Sequence, residues 1–265
     1  MTTPLFVIDP AHDDVPLNRD GLHPGWSLTL PASVRRHAIA AMRLTDGDEL
    51  ELSDGAGLRI RARLSDAQNG VAEVTGFNTE PQPVTRLKLV QALAKTGHDL
   101  AAVDMATQIG VDAVVPWRAA RSIAKFKAGR TDEKWRQTLV AATEQSRRAW
   151  APELGECASD KDVIAMCRRA CVHGEMVIVL HQDATASWAD VEANVAQMAG
   201  RCVEDGRPRA VAVVVGPEGG ISEEEVETFV DAGAVSCVLG ANILRASTAG
   251  PVALALLARA LGRFA

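Results

Sequence analysis

No run of eighteen apolar residues occurs anywhere in this 265-residue chain, so no segment reads as a membrane-spanning helix. The N-terminal stretch MTTPLFVIDPAHDD lacks both a basic start and a long apolar segment; no secretory signal is read, and a cytoplasmic protein is expected. Five cysteines, Cys157, Cys167, Cys171, Cys202 and Cys237, never form a C-x-x-C pair and read as reduced, mostly core residues. No H-E-x-x-H occurs and neither His98 nor His181 has metal-ligand spacing, so no metal is expected. The phosphate-loop spacing G-x-x-x-x-G-K-[ST] is also missing.

What is present is divided unevenly. The net charge of -6 conceals a basic middle: residues 85 to 150 carry 12 Lys and Arg against 6 acids, while residues 1 to 84 carry 7 against 12 and the remainder 9 against 16. Affinity for nucleic acid follows local positive patches that displace counterions, so global acidity does not exclude RNA.

Short alternating runs over Leu5 to Ile8, Glu49 to Ser53, Leu58 to Leu64 and Gly70 to Thr75 are separated by turn signals at Asp46-Gly47, Asp54-Gly55 and Asn69-Gly70. They predict a small β-barrel-like domain over residues 1 to 77, with one helix around Ser33 to Arg43, followed by a linker over 78 to 85 that contains Pro81 and Pro83. From residue 86 to 265 strands alternate with helical segments, the pattern of an α/β domain with a mainly parallel sheet. Strands are predicted over Lys88 to Ala92, Ala113 to Pro116, Met176 to Leu180, Ala210 to Val215 and Val235 to Leu239. Helices are predicted over His98 to Ile109, Asp132 to Trp150, Asp160 to Cys171, Trp188 to Ala199, Glu223 to Ala232 and Thr248 to Phe264.

Two loops near the C-terminus carry the chemistry. Gly216-Pro217-Glu218-Gly219-Gly220 lies between a β-branched strand and a helix that opens with the capping box Ser222 to Glu225. Its three consecutive glutamates, Glu223 to Glu225, suit the helix dipole but would repel a phosphate, so a ligand with adenosine-like faces and positive charge fits better. The second loop, VLGANILRASTAG from Val238 to Gly250, offers small and hydroxyl residues for close approach, Ser247 or Thr248 as an N-cap, and Arg245 as a cation at the rim. A surface ion pair is the alternative role for Arg245.

Four separated motifs carry a resemblance: RLTDGDELELSDGAG at Arg43 to Gly57, DMATQIGVDAVVPW at Asp104 to Trp117, ATEQSRRAWAP at Ala142 to Pro152, and the GPEGG and LGANILR pair. In this order they resemble the RsmE family of SPOUT-class RNA methyltransferases. The resemblance implies a C-terminal SPOUT-type α/β trefoil knot, an N-terminal PUA-like barrel that holds RNA, and a homodimer. It implies transfer of a methyl group from S-adenosyl-L-methionine to N3 of a uridine in 16S rRNA of the small ribosomal subunit. Carried onto this chain, the cofactor site comprises Leu180, His181, Gly216, Pro217, Glu218, Gly219, Gly220, Leu239, Gly240, Ile243, Leu244, Ser247 and Thr248. The chain departs from the family's usual residues at Ala241-Asn242 (Pro-Arg), at Ala246-Ser247-Thr248 (Thr-Glu-Thr), at Arg147 (Gly) and at Pro4-Leu5-Phe6 (Arg-Phe-Phe).

Methylation at uridine N3 requires loss of the imide proton and stabilisation of charge on O2 and O4. Arg245 is the candidate cation, and Glu218 is either the proton acceptor or an organiser of its loop. Candidate RNA contacts are Arg35, Arg36 and Arg43 near the first helix, and Arg59, Arg61 and Arg63 on one face of a strand. Arg118, Arg121, Lys125 and Lys127 in the basic middle and Arg147 with Arg148 complete the set; a solvated outer face is the competing reading for the strand arginines. The five tryptophans default to core packing. Two other functions stay open: a ribosome-assembly factor with a degenerate pocket, and a SPOUT enzyme acting on another RNA.

Overall fold

Alternation in the N-terminal strands is physical: in a computed structural model that describes residues 3–8, 13 and 19–264, Leu58, Ile60, Ala62 and Leu64 are buried while Arg61 and Arg63 are exposed between them. The chain divides into two compact units. The first takes the chain up to Gln82 together with Val140–Ala151, and the second takes Pro83–Leu139 and the chain from Pro152 onward.

The first unit contains β1 (Leu5–Val7), β2 (Ser27–Thr29), α1 (Ala32–Arg35), β3 (Glu49–Ser53), β4 (Leu58–Asp66) and β5 (Val71–Thr79). Its sheet runs β1-β3-β4-β5-β2, with β1 parallel to β3 and the other pairs antiparallel. Phe6, Leu28, Leu50, Leu52, Ile60, Leu64 and Val74 form the core of this small β-domain. At Gly57, φ is +93° and a Cβ would lie 2.7 Å from the Trp150 ring, so no side chain fits there. The helix predicted from Ser33 to Arg43 is shorter and differently wound: four α-helical residues give way to a π-wound segment over Arg36–Ala41, and the Met42 amide donates to the His37 carbonyl. The three-residue β2 escapes sequence reading.

The second unit contains β6 (Thr85–Ala92), α2 (His98–Ile109), β7 (Ala113–Trp117), α3 (Thr131–Ser146, whose last turns belong to the first unit), β8 (Glu153–Leu154) and α4 (Asp160–His173). It continues with β9 (Met176–Leu180), β10 (Ala186–Ser187), α5 (Trp188–Asp205), β11 (Arg209–Val215), α6 (Glu223–Asp231), β12 (Val235–Val238) and α7 (Ala246–Ala260). Of the predicted linker, Asn78 and Thr79 close β5 and Thr85 opens β6. The sheet is wholly parallel, in the order β10-β12-β9-β11-β6-β7-β8. The two-residue β8 and β10 are too short to leave a periodic signal.

Both faces of this sheet are covered, which explains the unbroken apolar run in β11. Val211, Val213 and Val215 pack with Val103 of α2, Trp135 of α3, Val195 of α5 and Leu254 of α7. Ala212 and Val214 turn to the opposite face, against Val163 and Cys167 of α4 and Phe229 of α6. Each valine buried this way contributes roughly 1.5–3 kcal/mol. Burial pushes the Cys167 thiol up to about 11, so it stays protonated as a core residue. Among the described residues no helix is long and apolar enough to cross a membrane, and no cluster of His, Cys, Asp and Glu is suited to a metal ion.

Candidate active site

Because β12, β9 and β11 are neighbours and parallel, their carboxyl ends open on the same edge of the sheet. There the loops enclose a cavity of about 600 Å³. This is the place where open parallel sheets bind ligands.

The first wall follows β11. A Cβ on Gly216 would lie 2.7 Å from Ile221 Cγ1, so the chain can fold back only without a side chain there. Gly220 sits at φ +72°, in the left-handed region, and its amide donates to the Pro217 carbonyl at 2.9 Å. Glu218 Oε1 accepts from the Lys95 amide at 2.8 Å, which ties the loop to the segment preceding α2. Ser222 and Glu225 form the predicted capping box at the start of α6.

The second wall is the end of β9. The His181 amide donates to the Cys237 carbonyl at 3.1 Å, and His181 Nδ1 accepts from the Asp183 amide at 3.4 Å.

The third wall runs from Cys237 to α7. Gly240 lines the cavity with nothing within 4 Å of where its Cβ would be, which leaves the backbone open to close approach. The N-cap of α7 is Arg245 rather than Ser247 or Thr248: its carbonyl accepts from the amides of Thr248 and Ala249 at 2.8 and 2.9 Å. This two-residue shift turns the first helical turn. Ala246 and Ala249 face the cavity, whereas Ser247 is buried and neither it nor Thr248 lines the wall. On the same helix, a Cβ on Gly250 would meet Leu89 Cδ1 at 2.8 Å.

Leu180, His181, all five residues of the GPEGG loop, Leu239, Gly240, Ile243, Leu244 and Arg245 thus line one cavity. Sequence reading misses Asp183 beside them, singles out His98 and Glu223 without placing them in the cofactor site, and assigns Arg121 to the RNA. Arg121 Nη1 donates to the Gly219 carbonyl at 3.1 Å. No local signal joins His98 or Arg121 to a loop about a hundred residues away, although Gly97-His98-Asp99 does mark the start of α2.

The remaining basic candidates differ in exposure and pairing. Arg35 and Arg36 border a shallow depression beside Ile39 and Gln68. Arg43, Arg118, Lys125, Lys127 and Arg147 are exposed, and Arg148 is half-buried. Arg59 is committed to ion pairs with Glu51 at 2.6 Å and Glu80 at 2.8 Å, Arg63 pairs with Glu49 at 3.1 Å, and Arg61 is exposed. Trp117 and Trp135 are fully buried.

Known proteins share this architecture. Residues 80–258 match the RNA methyltransferase domain family, and residues 30–75 match the RNA methyltransferase PUA domain. Ribosomal RNA small subunit methyltransferase E of Mycobacterium bovis is 34% identical over 223 residues, which cover 82% of this chain and 80% of that protein. The Bacillus subtilis protein of the same name is 26% identical, covering 80% of this chain and 82% of its own. Among solved structures, a Legionella pneumophila protein in complex with bound S-adenosylmethionine aligns with a TM-score of 0.79 at 22% identity, covering 98% of both chains. Ribosomal RNA small subunit methyltransferase E of Neisseria gonorrhoeae, bound to S-adenosylmethionine, aligns with a TM-score of 0.78 at 21% identity, over 97% of this chain and 98% of that one. A family match over more than half the chain, joined to a relative above 30% identity across most of its length, settles the assignment: the chain belongs to the ribosomal RNA small subunit methyltransferase E family of RNA methyltransferases.

Proposed function

We propose that this enzyme methylates N3 of a uridine in 16S rRNA of the small ribosomal subunit, with S-adenosyl-L-methionine as methyl donor. The observation that carries the reading is the cavity at the ends of β9, β11 and β12, lined by both glycine loops of a chain in this family. The residues fit the cofactor. Leu180, Leu239 and Leu244 supply apolar walls for the adenosine, Gly240 leaves its backbone open, and Glu218 and Glu223 complement positive charge. When bound, the cofactor supplies the electrophilic methyl, so the chain's own residues are left to position the uridine and manage its proton. In this reading the loop from Leu239 to Arg245 belongs to the trefoil knot.

Arg245 caps α7 at the cavity wall, and no described residue holds its side chain. It serves as a cation for the charge that develops when N3 loses its proton. The bond from Lys95 to Glu218 supports an organising role for that carboxylate, with its second oxygen left for a proton or a water. The exposed arginines of the PUA domain and the basic 118–130 segment serve the RNA. The enzyme works as a cytoplasmic homodimer. Mapping N3-methyluridine in 16S rRNA from cells with and without the gene tests the assignment: loss of one such site on deletion is expected, and an unchanged modification pattern sinks it.

A further inference from the structure

In sequence Arg121 is one of several cations on a basic loop. The fold separates it from the others. Glu225, buried in the first turn of α6, divides its two carboxylate oxygens between two segments: Oε2 accepts from the Ser222 amide and hydroxyl at 2.8 and 2.7 Å, and Oε1 accepts from the Ala120 amide at 2.7 Å. One carboxylate therefore clamps the chain after β7 onto the helix that follows the GPEGG loop. The next residue, Arg121, lies against that loop, with its Cβ 3.3 Å from where a Cβ on Gly219 would be and Nη1 on the Gly219 carbonyl. A guanidinium has five N–H donors, and here one is engaged. The side chain is exposed on the cavity wall, and among the described residues no carboxylate neutralises it. Arg245 shares that condition, so the cavity holds two arginines without an acidic partner.

We propose that Arg121 is the second charge-stabilising residue of the methyl transfer, contacting one carbonyl oxygen of the target uracil while Arg245 serves the other, and that Glu225 is its positioning residue. The inference rests on the uridine-N3 reading. Passage of the imide proton to Glu218, directly or through a water, leaves an electron pair on N3 whose charge is shared with O2 and O4, one on either side. As the N3–methyl bond forms, the sulfur–methyl bond breaks and the pair returns to sulfur. A fixed cation beside each oxygen favours the anion before this transfer. Because the clamp is built without substrate, it needs no rearrangement when charge appears.

The test uses the full-length protein, S-adenosylmethionine and small ribosomal subunits from cells lacking the gene, with N3-methyluridine measured by mass spectrometry. Arg121→Ala is expected to lower kcat by about 100-fold near neutral pH, with a far smaller loss of cofactor affinity. Its deficit should shrink as alkaline pH removes the imide proton unaided. His98, His181, Asp183, Glu218 and Glu223 also line the cavity, so the comparison is the ratio of variant to wild type at each pH, in which their titration is shared. Glu225→Ala should lose part of the rate, and Glu225→Gln should recover some of it, because its single carbonyl oxygen can still accept from Ala120 while its amide nitrogen no longer accepts from the Ser222 amide. A wild-type rate in Arg121→Ala, or an equal loss of rate and cofactor affinity with an unmoved pH ratio, overturns the proposal alone. A wild-type reaction that yields no N3-methyluridine overturns the underlying reading, and the proposal with it.

Discussion

Arg59 Nη2 donates a 2.8 Å hydrogen bond to the carbonyl of Arg147, a residue held at φ +55°. Arg147 follows the last turn of α3, where its own amide donates to the Glu144 carbonyl and the Arg148 amide to the Thr143 carbonyl. That pair of bonds is a Schellman ending, whose left-handed position favours glycine. The resembling family usually carries glycine here, and the geometry says why. A Cβ in the left-handed region costs roughly 1–2 kcal/mol, partly offset by the greater freedom of unfolded glycine. Arg147→Gly should therefore stabilise the protein by about 0.5–1 kcal/mol, read as a higher midpoint in urea. An unchanged or lower midpoint would show that the arginine side chain compensates the strain.

The local features were legible because each rests on neighbours in sequence. The capping box at Ser222 and Glu225, the apolar run of β11 and the left-handed glycines of the Asp46-Gly47, Asp54-Gly55 and Asn69-Gly70 turns need only residues a few positions apart. What could not be read depends on distance or on small offsets. Arg59 looks like a member of an outward row, yet Glu80, 21 residues away, takes it out of that row. Arg121 reaches Gly219 across 98 residues. Ser247 looks like a ligand-facing residue until the N-cap of α7 falls two residues earlier, a shift that rotates a helical residue by about 200°.

The strand arginines divide into different roles. Arg59 is largely buried, with 17% of its side chain exposed, and joins two carboxylates to the end of α3; Arg59→Ala should cost stability, by about 1–2 kcal/mol, and leave the salt dependence of RNA binding nearly intact. Arg61 is exposed with no ion partner among the described residues, and Arg63 holds only a solvent-screened pairing with Glu49. Arg61→Ala with Arg63→Ala should flatten the slope of log affinity against log salt by about one unit for each phosphate left without its cation. Titrations of RNA at several salt concentrations decide it, and an unaltered slope in the double variant makes this face a solvated surface.

Asp99, buried in the first turn of α2, gives a pH signature. Burial pushes its carboxyl up from the ordinary 3.8, although the Leu100 amide donates to Oδ1 at 2.9 Å. The folded protein therefore keeps this proton to higher pH than the unfolded chain does. Its contribution to stability is complete below the unfolded value and is lost as pH rises through the folded value. Asp99→Asn does not titrate, so its stability relative to wild type should improve as pH climbs from about 3.5 and level off once the folded carboxyl ionises. Urea unfolding across this range measures the difference. A flat difference would mean that the folded carboxyl ionises as it does in the unfolded chain.

Arg263, just beyond the end of α7, closes the base of the sheet. Its guanidinium donates to the Gly110 carbonyl at 2.8 Å, to the Thr85 carbonyl, and to Asp112 Oδ2 at 2.8 Å, while that same oxygen accepts from the Leu87 amide at 2.7 Å. The Asp112 side chain is 6% exposed, so removal of the arginine takes a charged donor from a largely desolvated carboxylate. Arg263→Ala should destabilise by about 2–4 kcal/mol, and adding Asp112→Asn should recover part of the loss, because the amide oxygen still serves Leu87 and carries no charge. Cofactor affinity should hardly change in either variant, because the cavity adjoins the opposite end of α7, roughly 20 Å away along the helix. Urea unfolding with cofactor titration separates these effects. A weakened affinity in the folded Arg263→Ala variant would show that this clamp reaches the cavity through α7.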